Sequence, residues 1–245
     1  MFNQEDVLIP FNTSPLPSGP WIIVAPHADD ETFGMGGTLL KAKQQGIETH
    51  LVVLTDGSQG GKIDDLVEVR RQEVRKAADL LGIASLKNWS EPDRFLETNS
   101  EIVTRVTELI LEISPRTVFF PGPLEIHPDH RAACALVWKA LQEVKLSAET
   151  PIAISYEISV QNPVNMFINI TSQIEEKKRV MQVYTSQNAE NNYPELVVAL
   201  DKGRTFSLPH EVKFAEGFFK YKEEDLGLSI REMLSSVIDL YGEKV

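Results

Sequence analysis

The sequence predicts an α/β protein with a mostly parallel sheet. Three short apolar runs without alternation are typical of strands that are buried on both faces. These runs cover residues 21–25, 51–54 and 117–120. Between and after them, apolar residues recur at spacings of three and four, which indicates amphipathic helices over 66–81, 102–113 and 133–144. Strands that alternate with helices of this length form βαβ units, and right-handed crossovers between such strands give a parallel sheet.

The two ends of the chain show different patterns. After Pro151 the residues predict strands over 152–158 and 166–170, followed by helices over 173–185 and 222–241. The first 20 residues contain four prolines and predict an irregular lead-in. No repeat, low-complexity tract or clear linker interrupts the pattern, so residues 1–245 are interpreted as one domain.

The composition excludes several classes of protein. The chain has 24 basic and 36 acidic residues and a net charge of −12, which argues against binding to nucleic acid or to an anionic membrane surface. A single cysteine, Cys134, excludes an intrachain disulfide and a cysteine-based zinc knuckle. No apolar run reaches the roughly 20 residues of a membrane span, and the N-terminus lacks the order of a signal peptide. We therefore expect a cytoplasmic protein.

Two clusters of histidine and carboxylate residues follow predicted strands. His27, Asp29, Asp30 and Glu31 come directly after the run at 21–25, whereas the segment His127-Pro-Asp-His130 follows the run at 117–120. Ligands of a parallel sheet bind at the carboxyl ends of its strands. If the two strands are parallel and close together, both clusters meet at that edge. This convergence, more than either cluster alone, predicts a functional site.

The residue types in the two clusters suit a catalytic metal ion. A catalytic zinc site uses three protein ligands and leaves one position open, and His27, Asp30 and His130 supply two nitrogens and a carboxylate. Zinc lowers the pKa of water toward about 7. Iron(II) accepts the same combination of ligands, so the residues predict the site more firmly than the metal.

Two further groups in the clusters are available for proton transfer. Asp29, beside the predicted ligand Asp30, is expected to act as a general base. His127 lies three residues before His130, and as an imidazolium it would polarise a carbonyl or protonate a leaving amine. We also expect Glu31 to form hydrogen bonds within the first loop.

The glycine-rich segment Gly34-Met-Gly-Gly-Thr-Leu39 permits a different interpretation. A dinucleotide fingerprint has the form G-x-G-x-x-G directly after a strand. Here the sixth position is Leu39, and the first cluster separates the glycines from the strand. We prefer the interpretation that Gly36 and Gly37 let a helix begin close to the sheet or the site.

The same residues resemble a known family. The segments Pro26-His-Ala-Asp-Asp-Glu-Thr-Phe-Gly-Met-Gly-Gly-Thr-Leu39 and His127-Pro-Asp-His-Arg-Ala-Ala133 resemble the two signatures of the LmbE-like, PIG-L-type N-acetylglucosaminyl deacetylases. Weaker similarities extend the resemblance over most of residues 21–187. It implies a zinc enzyme with a Rossmann-like, three-layer α/β/α fold, here with extra C-terminal strands and helices.

The resemblance also implies roles for single residues. By similarity, zinc binds to His27, Asp30 and His130, and Asp29 is the general base. His127 would be the acid or the oxyanion stabiliser, oriented by Asp129. Asp129 is expected to accept a hydrogen bond from the ring of His127 and so to raise the pKa of His127, whereas a nearby metal would lower it. Arg70 and Asp93 fall where the family contacts the substrate. The chain departs from the family at Ala28, where proline is usual.

These observations predict a zinc-dependent hydrolase that removes the N-acetyl group from an N-acetylglucosamine-type sugar or glycoconjugate. Two alternatives stay open: a metal-dependent amidase for another amide, such as a thiol conjugate, and a sugar- or nucleotide-binding module without turnover. The pair Asp29 and His127 favours catalysis, because a binding module needs neither group. The expected partner is a small molecule, and the sequence is compatible with both a monomer and a homo-oligomer.

Overall fold

Seven strands form one sheet in the computed structural model, which describes residues 8–242. They are β1 (Trp21–Ala25), β2 (Thr49–Thr55), β3 (Ser85–Glu91), β4 (Thr117–Pro121), β5 (Ile152–Tyr156), β6 (Met166–Asn169) and β7 (Ala215–Lys220). Their order in the sheet is β3-β2-β1-β4-β5-β7-β6. The first five strands pair in parallel, whereas β7 runs antiparallel to both β5 and β6.

Helices cover both faces of this sheet. The helices of the described chain are α1 (Asp30–Gln44), α2 (Leu66–Leu81), α3 (Ser100–Ile113), α4 (Pro128–Lys145), α5 (Ile174–Met181), α6 (Thr185–Asn188), α7 (Tyr193–Gly203) and α8 (Ile230–Gly242), and a 3₁₀ turn spans Glu223–Gly227. One apolar core lies between the sheet and α1, α2, α5 and α7, and the other lies between the sheet and α3, α4 and α8. The predicted α/β fold with a mostly parallel sheet is confirmed.

Several element boundaries differ from those predicted. The helix predicted over 173–185 ends at Met181, and the one predicted over 222–241 is two elements. The break has a local cause: Ser229 accepts the backbone N–H of Glu232, and the Glu232 side chain accepts the N–H of Ser229. This reciprocal capping box starts α8 at a new point. The strands β3 and β7 and the helix α7 were not predicted.

The glycines of α1 are required by close packing. A Cβ atom at Gly34 would lie 2.4 Å from the carbonyl oxygen of Glu157, and one at Gly37 would lie 2.8 Å from the side chain of Ile170. The helix is kinked at Met35, and the backbone N–H groups of Gly37 and Thr38 donate to the buried carboxylate of Glu216. These contacts agree with the packing interpretation of the glycine-rich segment, which comes close to the sheet.

A buried lysine joins three elements of the C-terminal half. Lys177 of α5 is fully buried, and its ammonium lies 2.7 Å from Asp201 of α7 and 2.8 Å from Glu216 of β7. The carboxylate of Glu216 also accepts the two backbone N–H groups of α1. One ammonium therefore offsets the charge of two buried carboxylates, and this contact fixes α7 to the sheet.

None of the helices described between residues 8 and 242 combines the length and apolar character of a membrane span. Residues 9–20 are irregular, as predicted for the lead-in, and residues 1–7 lie outside the described part. The single-domain organisation and the cytoplasmic location stay predictions.

Replacing the buried lysine should destabilise the fold strongly. In Lys177→Met two buried carboxylates lose their counter-ion, so we expect the free energy of unfolding to fall by about 3–5 kcal/mol. The neighbouring Lys178 pairs with Glu175 at the surface, and Lys178→Met should change the free energy of unfolding by less than about 1 kcal/mol. Urea denaturation of both variants measures the difference. Equal stabilities would contradict this role of Lys177.

Candidate metal centre and active-site cleft

The two histidine clusters meet because β1 and β4 are neighbours. These strands pair in parallel from Trp21 opposite Thr117 to Ile23 opposite Phe119. The strand order reverses at this pair, since β2 and β3 lie beyond β1 and β5 lies beyond β4. The loops that follow β1 and β4 therefore diverge from the same point of the carboxyl edge, which is where open α/β sheets bind ligands.

The three predicted metal ligands lie in direct contact. One carboxylate oxygen of Asp30 lies 3.0 Å from Nδ1 of His27, and the other lies 3.3 Å from Nε2 of His130. All three residues are buried. The carboxylate lies between the two imidazoles, and each of its oxygens faces one ring nitrogen.

The second nitrogen of each imidazole faces a buried carboxylate. Nε2 of His27 lies 3.1 Å from Asp129 and 3.3 Å from Asp93, and Nδ1 of His130 lies 3.4 Å from Glu125. Histidines that bind metals commonly have such a partner, which fixes the tautomer and the ring orientation. The donor set and its surroundings therefore fit a divalent metal ion.

Glu125 was not identified from the sequence. It is buried, and besides His130 its carboxylate accepts the backbone N–H groups of Ile158 at 2.9 Å and Ser159 at 3.0 Å. It thus connects the β4 loop to the segment after β5. No spacing rule identifies it, because its role depends on two loops that meet only in the folded chain.

His127 also lies at the centre of the site. One ring nitrogen from each of His27, His127 and His130 lies within 4.8 Å of the others. A second group within this distance consists of His27, Asp93, His127 and Asp129. The geometry therefore offers His127 as an alternative third ligand. Asp30 belongs to neither group, but one of its oxygens contacts His27 and the other contacts His130.

The carboxyl groups of Asp29 and Asp30 have opposite electrostatic environments. Burial alone would raise the pKa of Asp30, but the positive charges of His130 and His27 outweigh this effect and lower it. Burial raises the pKa of Asp29 to about 8, although Arg70 opposes the change. In these surroundings Asp30 is an anion, whereas Asp29 holds a proton much more readily.

Asp29 is held in a strained backbone conformation. Its φ is 131°, in a region that residues with a side chain rarely adopt. The Glu31 carboxylate accepts the backbone N–H of Asp29 at 3.2 Å, which confirms the expected hydrogen bond within this loop. Glu31 is itself fully buried and accepts the hydroxyl groups of Thr32 and Tyr184. These contacts fix the loop that carries the candidate base.

Arg70 and Asp93 contact the candidate catalytic groups. The Arg70 guanidinium donates to the carbonyl oxygen of Ala28 at 2.9 Å and to the Asp29 carboxylate at 3.3 Å. Asp93 contacts His27 and accepts the backbone N–H of Gln59 at 2.9 Å. Both residues line the cleft, as a role in substrate binding requires, but each is already engaged by the protein.

The environment of His127 differs from the prediction. His127 is the N-cap of α4, and its Nδ1 accepts the backbone N–H of Asp129 at 3.2 Å. The Asp129 carboxylate instead accepts the backbone N–H groups of Arg94 at 2.7 Å and Leu96 at 3.2 Å and contacts His27. Partial burial lowers the pKa of His127, and the charges of His27 and His130 add to this. The predicted rise in the pKa of His127 was wrong, because burial and the charges of His27 and His130 outweigh the opposing effect of Asp129.

A cleft of about 630 Å³ opens at these residues, within the usual range for small-molecule sites. Part of its lining is polar and comes from the segments that follow β2 and β3 and from the end of α6. These residues are Gln59, Gly60, Gly61, Lys62, Arg94, Gln187, Glu190 and Asn191. The remaining lining is mostly apolar and is called the apolar wall; it consists of Phe33, Ile158, Tyr193, Leu196, Val197 and Leu200, with the polar Ser159 beside Ile158.

Comparison with known proteins shows which family the chain resembles. Residues 22–141 match the family model for PIG-L, described as GlcNAc-PI de-N-acetylase. The matched segment contains β1 except for Trp21, β2 to β4 and every candidate catalytic residue named above. The predicted resemblance is confirmed.

Individual relatives carry deacetylase names. The chain is 29% identical over 188 residues to a diacetylchitobiose deacetylase of Thermococcus kodakarensis, covering 69% of this chain and 70% of the relative. It is 32% identical to the "Probable N-acetyl-alpha-D-glucosaminyl L-malate deacetylase 2" of Bacillus anthracis, covering 50% of this chain and 59% of the relative. Among solved structures, the conserved protein TT1542 from Thermus thermophilus matches with a TM-score of 0.74 and 28% identity, over 82% of this chain and 94% of that one.

The two candidate ligand sets can be separated by metal content. We expect His130→Ala and Asp30→Asn to lose most of the bound metal, because each removes a group that contacts the other ligands. We expect His127→Ala to retain the metal, since its Nδ1 is engaged by the backbone of α4. Elemental analysis of the purified variants gives the metal content. Full retention in Asp30→Asn together with loss in His127→Ala would assign the third position to His127.

Proposed function

Because residues 22–141 match the PIG-L family model, we propose that this protein is a metal-dependent hydrolase that removes the acetyl group from an N-acetylglucosamine-type sugar or conjugate. One observation carries the proposal. His27, Asp30 and His130 converge at the point where the strand order reverses, with Asp29 and His127 in the same cleft. The relatives named as deacetylases of acetylated sugars support the choice of substrate.

We propose zinc as the metal and His27, Asp30 and His130 as its ligands. Two imidazole nitrogens and one carboxylate are a usual combination at catalytic zinc sites, and iron(II) is the alternative that this set also accepts. When bound, the metal supplies a Lewis acid that polarises a carbonyl group and lowers the pKa of water. The buried partners Asp129, Asp93 and Glu125 keep the two imidazoles in place.

Asp29 is proposed as the general base. Its carboxyl group lies beside the ligand Asp30 and lines the cleft, where it can take a proton from the attacking water. Arg70 holds the carboxylate from one side, and Glu31 holds the backbone from the other. A base held this firmly needs little reorganisation when the substrate binds.

His127 is proposed to donate a hydrogen bond to the carbonyl oxygen of the substrate. Since Nδ1 accepts a backbone N–H, the neutral ring carries its proton on Nε2. A fixed donor of this kind stabilises the negative charge that develops on the oxygen in the transition state. The lowered pKa of His127 favours this neutral form over the imidazolium.

The polar part of the cleft is proposed to hold the sugar. Hydroxyl groups need partners once they are buried, and Gln59, Gln187 and Asn191 offer amide groups there. This part is continuous, because Gln187 donates to the backbone of Gly60 at 3.0 Å. Contacts from Arg70 and Asp93 to the substrate stay a proposal based on the family resemblance.

The function is tested by acetate release. Purified, zinc-loaded protein is incubated with N-acetylglucosamine, its methyl glycoside, diacetylchitobiose and an N-acetylglucosaminide of malate, and free acetate is measured. We expect release from at least one of these compounds. Failure with all four at full metal occupancy would contradict the proposal and favour another amide, or binding without turnover.

Removing the proposed base should abolish most turnover while leaving the metal. In Asp29→Asn we expect kcat to fall by about 10²- to 10⁴-fold, the usual effect of losing a general base. Metal content should match that of the wild type, because Asp29 is outside the ligand set. Asp64→Asn, an exposed change in the segment after β2, is the control. Activity of Asp29→Asn within a few-fold of wild type would assign proton transfer to another group.

Arg70 should affect kcat more than KM. Its contacts to Ala28 and Asp29 indicate that it positions the base, so Arg70→Met is expected to lower kcat by about 10- to 100-fold with little change in KM. The neighbouring Arg71 bonds to Ser90 instead, and Arg71→Met should leave both constants near wild type. Steady-state kinetics separates the two roles. A raised KM with unchanged kcat would make Arg70 a substrate-binding residue.

A further inference from the structure

The apolar wall of the cleft comes largely from one helix. Tyr193, Leu196, Val197 and Leu200 occupy positions i, i+3, i+4 and i+7 of α7 and form a single stripe on its surface. All four residues line the cleft, but Val197 is also buried in the apolar core beneath the helix. Leu196 keeps 50% of its surface exposed, and Tyr193 and Leu200 are half-buried. The apolar surface that the helix leaves uncovered is therefore mainly that of Leu196, flanked by Tyr193 and Leu200.

This wall is built as a rigid surface. At one end of α7 the Tyr193 ring stacks on Phe33, with ring centroids 5.8 Å apart and an angle of 29° between the planes. At the other end Asp201 pairs with the buried Lys177, and Arg204 donates to Glu157 and to the carbonyl oxygen of Asn162. The stripe is thus held at both ends, and it is continuous with the catalytic cleft.

One end of the apolar wall lies next to the proposed metal ligands. Phe33 lies three residues after Asp30 on α1, and the backbone N–H of Ile158 donates to Glu125, the partner of His130. In the sheet, β5 lies on one side of β1, and Ile158 is in the segment that follows β5. The strands β2 and β3 lie on the other side of β1, and the polar segments with Gln59 and Arg94 follow them. The reacting carbonyl would therefore have polar groups on one side and mainly apolar groups on the other, where Ser159 is the one polar lining residue of the segment that follows β5.

An N-acyl amino sugar can place its polar and apolar parts against the matching sides of the cleft in only one orientation. The sugar hydroxyls need the polar side, because burying them without partners is unfavourable. A secondary amide is planar and trans, so its acyl chain points away from the sugar. The acyl chain then lies on the apolar wall. From Tyr193 to Leu200 the wall extends about 10 Å along the helix, far more than a methyl group covers.

We propose that the apolar wall is an acyl-chain subsite and that the preferred substrate carries an N-acyl group longer than acetyl, an alkyl chain of about four to six carbons. The inference rests on the proposed hydrolase function and specifies its substrate. The reaction is unchanged: water adds to the acyl carbon, the C–N bond breaks, and the products are a carboxylate and the free amino sugar, whose nitrogen takes up a proton.

The test is a series of methyl glucosaminides N-acylated with acetyl, butanoyl and hexanoyl groups, with kcat/KM measured through the released amine. Hexanoyl has four more methylenes than acetyl, and each contributes up to about a fourfold gain when it is fully buried, so partial burial on the wall should raise kcat/KM by about tenfold or more. Leu196→Gln should reduce the ratio of hexanoyl to acetyl activity by about tenfold. The matched control is Leu111→Gln, a leucine of similar exposure on α3 outside the cleft, and it should leave the ratio unchanged.

Two outcomes would contradict the acyl-chain subsite but leave the proposed hydrolase function intact. One is a fall in the kcat/KM of the wild type from the acetyl to the butanoyl substrate. The other is the same ratio of hexanoyl to acetyl activity in Leu196→Gln as in the wild type. A parallel series of N-acetylglucosaminides with methyl, butyl and hexyl aglycones tests the other direction. If kcat/KM rises with chain length only in this aglycone series, the wall binds the aglycone, and the acyl-chain assignment is contradicted. No hydrolysis of any compound by zinc-loaded protein would instead contradict the hydrolase function.

Discussion

The parallel pairing of β1 with β4 is the constraint on which the candidate site depends. The candidate ligands Asp30 and His130 lie 100 residues apart in sequence, and the carboxylate on one loop reaches the imidazole on the other only because these two strands are neighbours. Strand order reverses at this pair, so the crossover helices leave on opposite faces and open a crevice at the carboxyl edge. The strand pairing brings the two loops together, and the loops carry the candidate ligands and proton-transfer groups.

The site concentrates buried charge, and each charge has a partner. Asp30 is shared by two histidines, whose remaining nitrogens face Asp129, Asp93 and Glu125. Arg70 and Glu31 hold the strained Asp29 from its side chain and its backbone. Unpaired, such groups would be costly to bury, so the network is both a condition for folding around this crevice and a means of fixing its geometry. The same principle recurs at Lys177, which anchors the helix that forms the apolar wall.

Sequence reasoning succeeded where a local pattern had a direct structural meaning. Apolar runs predicted β1, β2 and β4, and the clusters after β1 and β4 predicted which residues would meet. It failed where a partner comes from elsewhere in the chain. Glu125 could not be identified before the segment after β5 was placed beside it, and the pKa of His127 was misjudged because burial and the charges of His27 and His130 outweigh the opposing effect of Asp129. The helix α7 was missed even though its apolar residues recur at helical spacing, because Pro194 and Gly203 near its ends indicated a loop.

We propose above all that one metal ion joins the loops after β1 and β4 through His27, Asp30 and His130. The most direct measurement is anomalous diffraction at the zinc absorption edge from crystals of the zinc-loaded protein. We predict a single strong peak at the carboxyl edge of β1 and β4, in contact with one nitrogen of each histidine and with an oxygen of Asp30. A peak that contacts His127 in place of Asp30, or that lies away from these two loops, would contradict it.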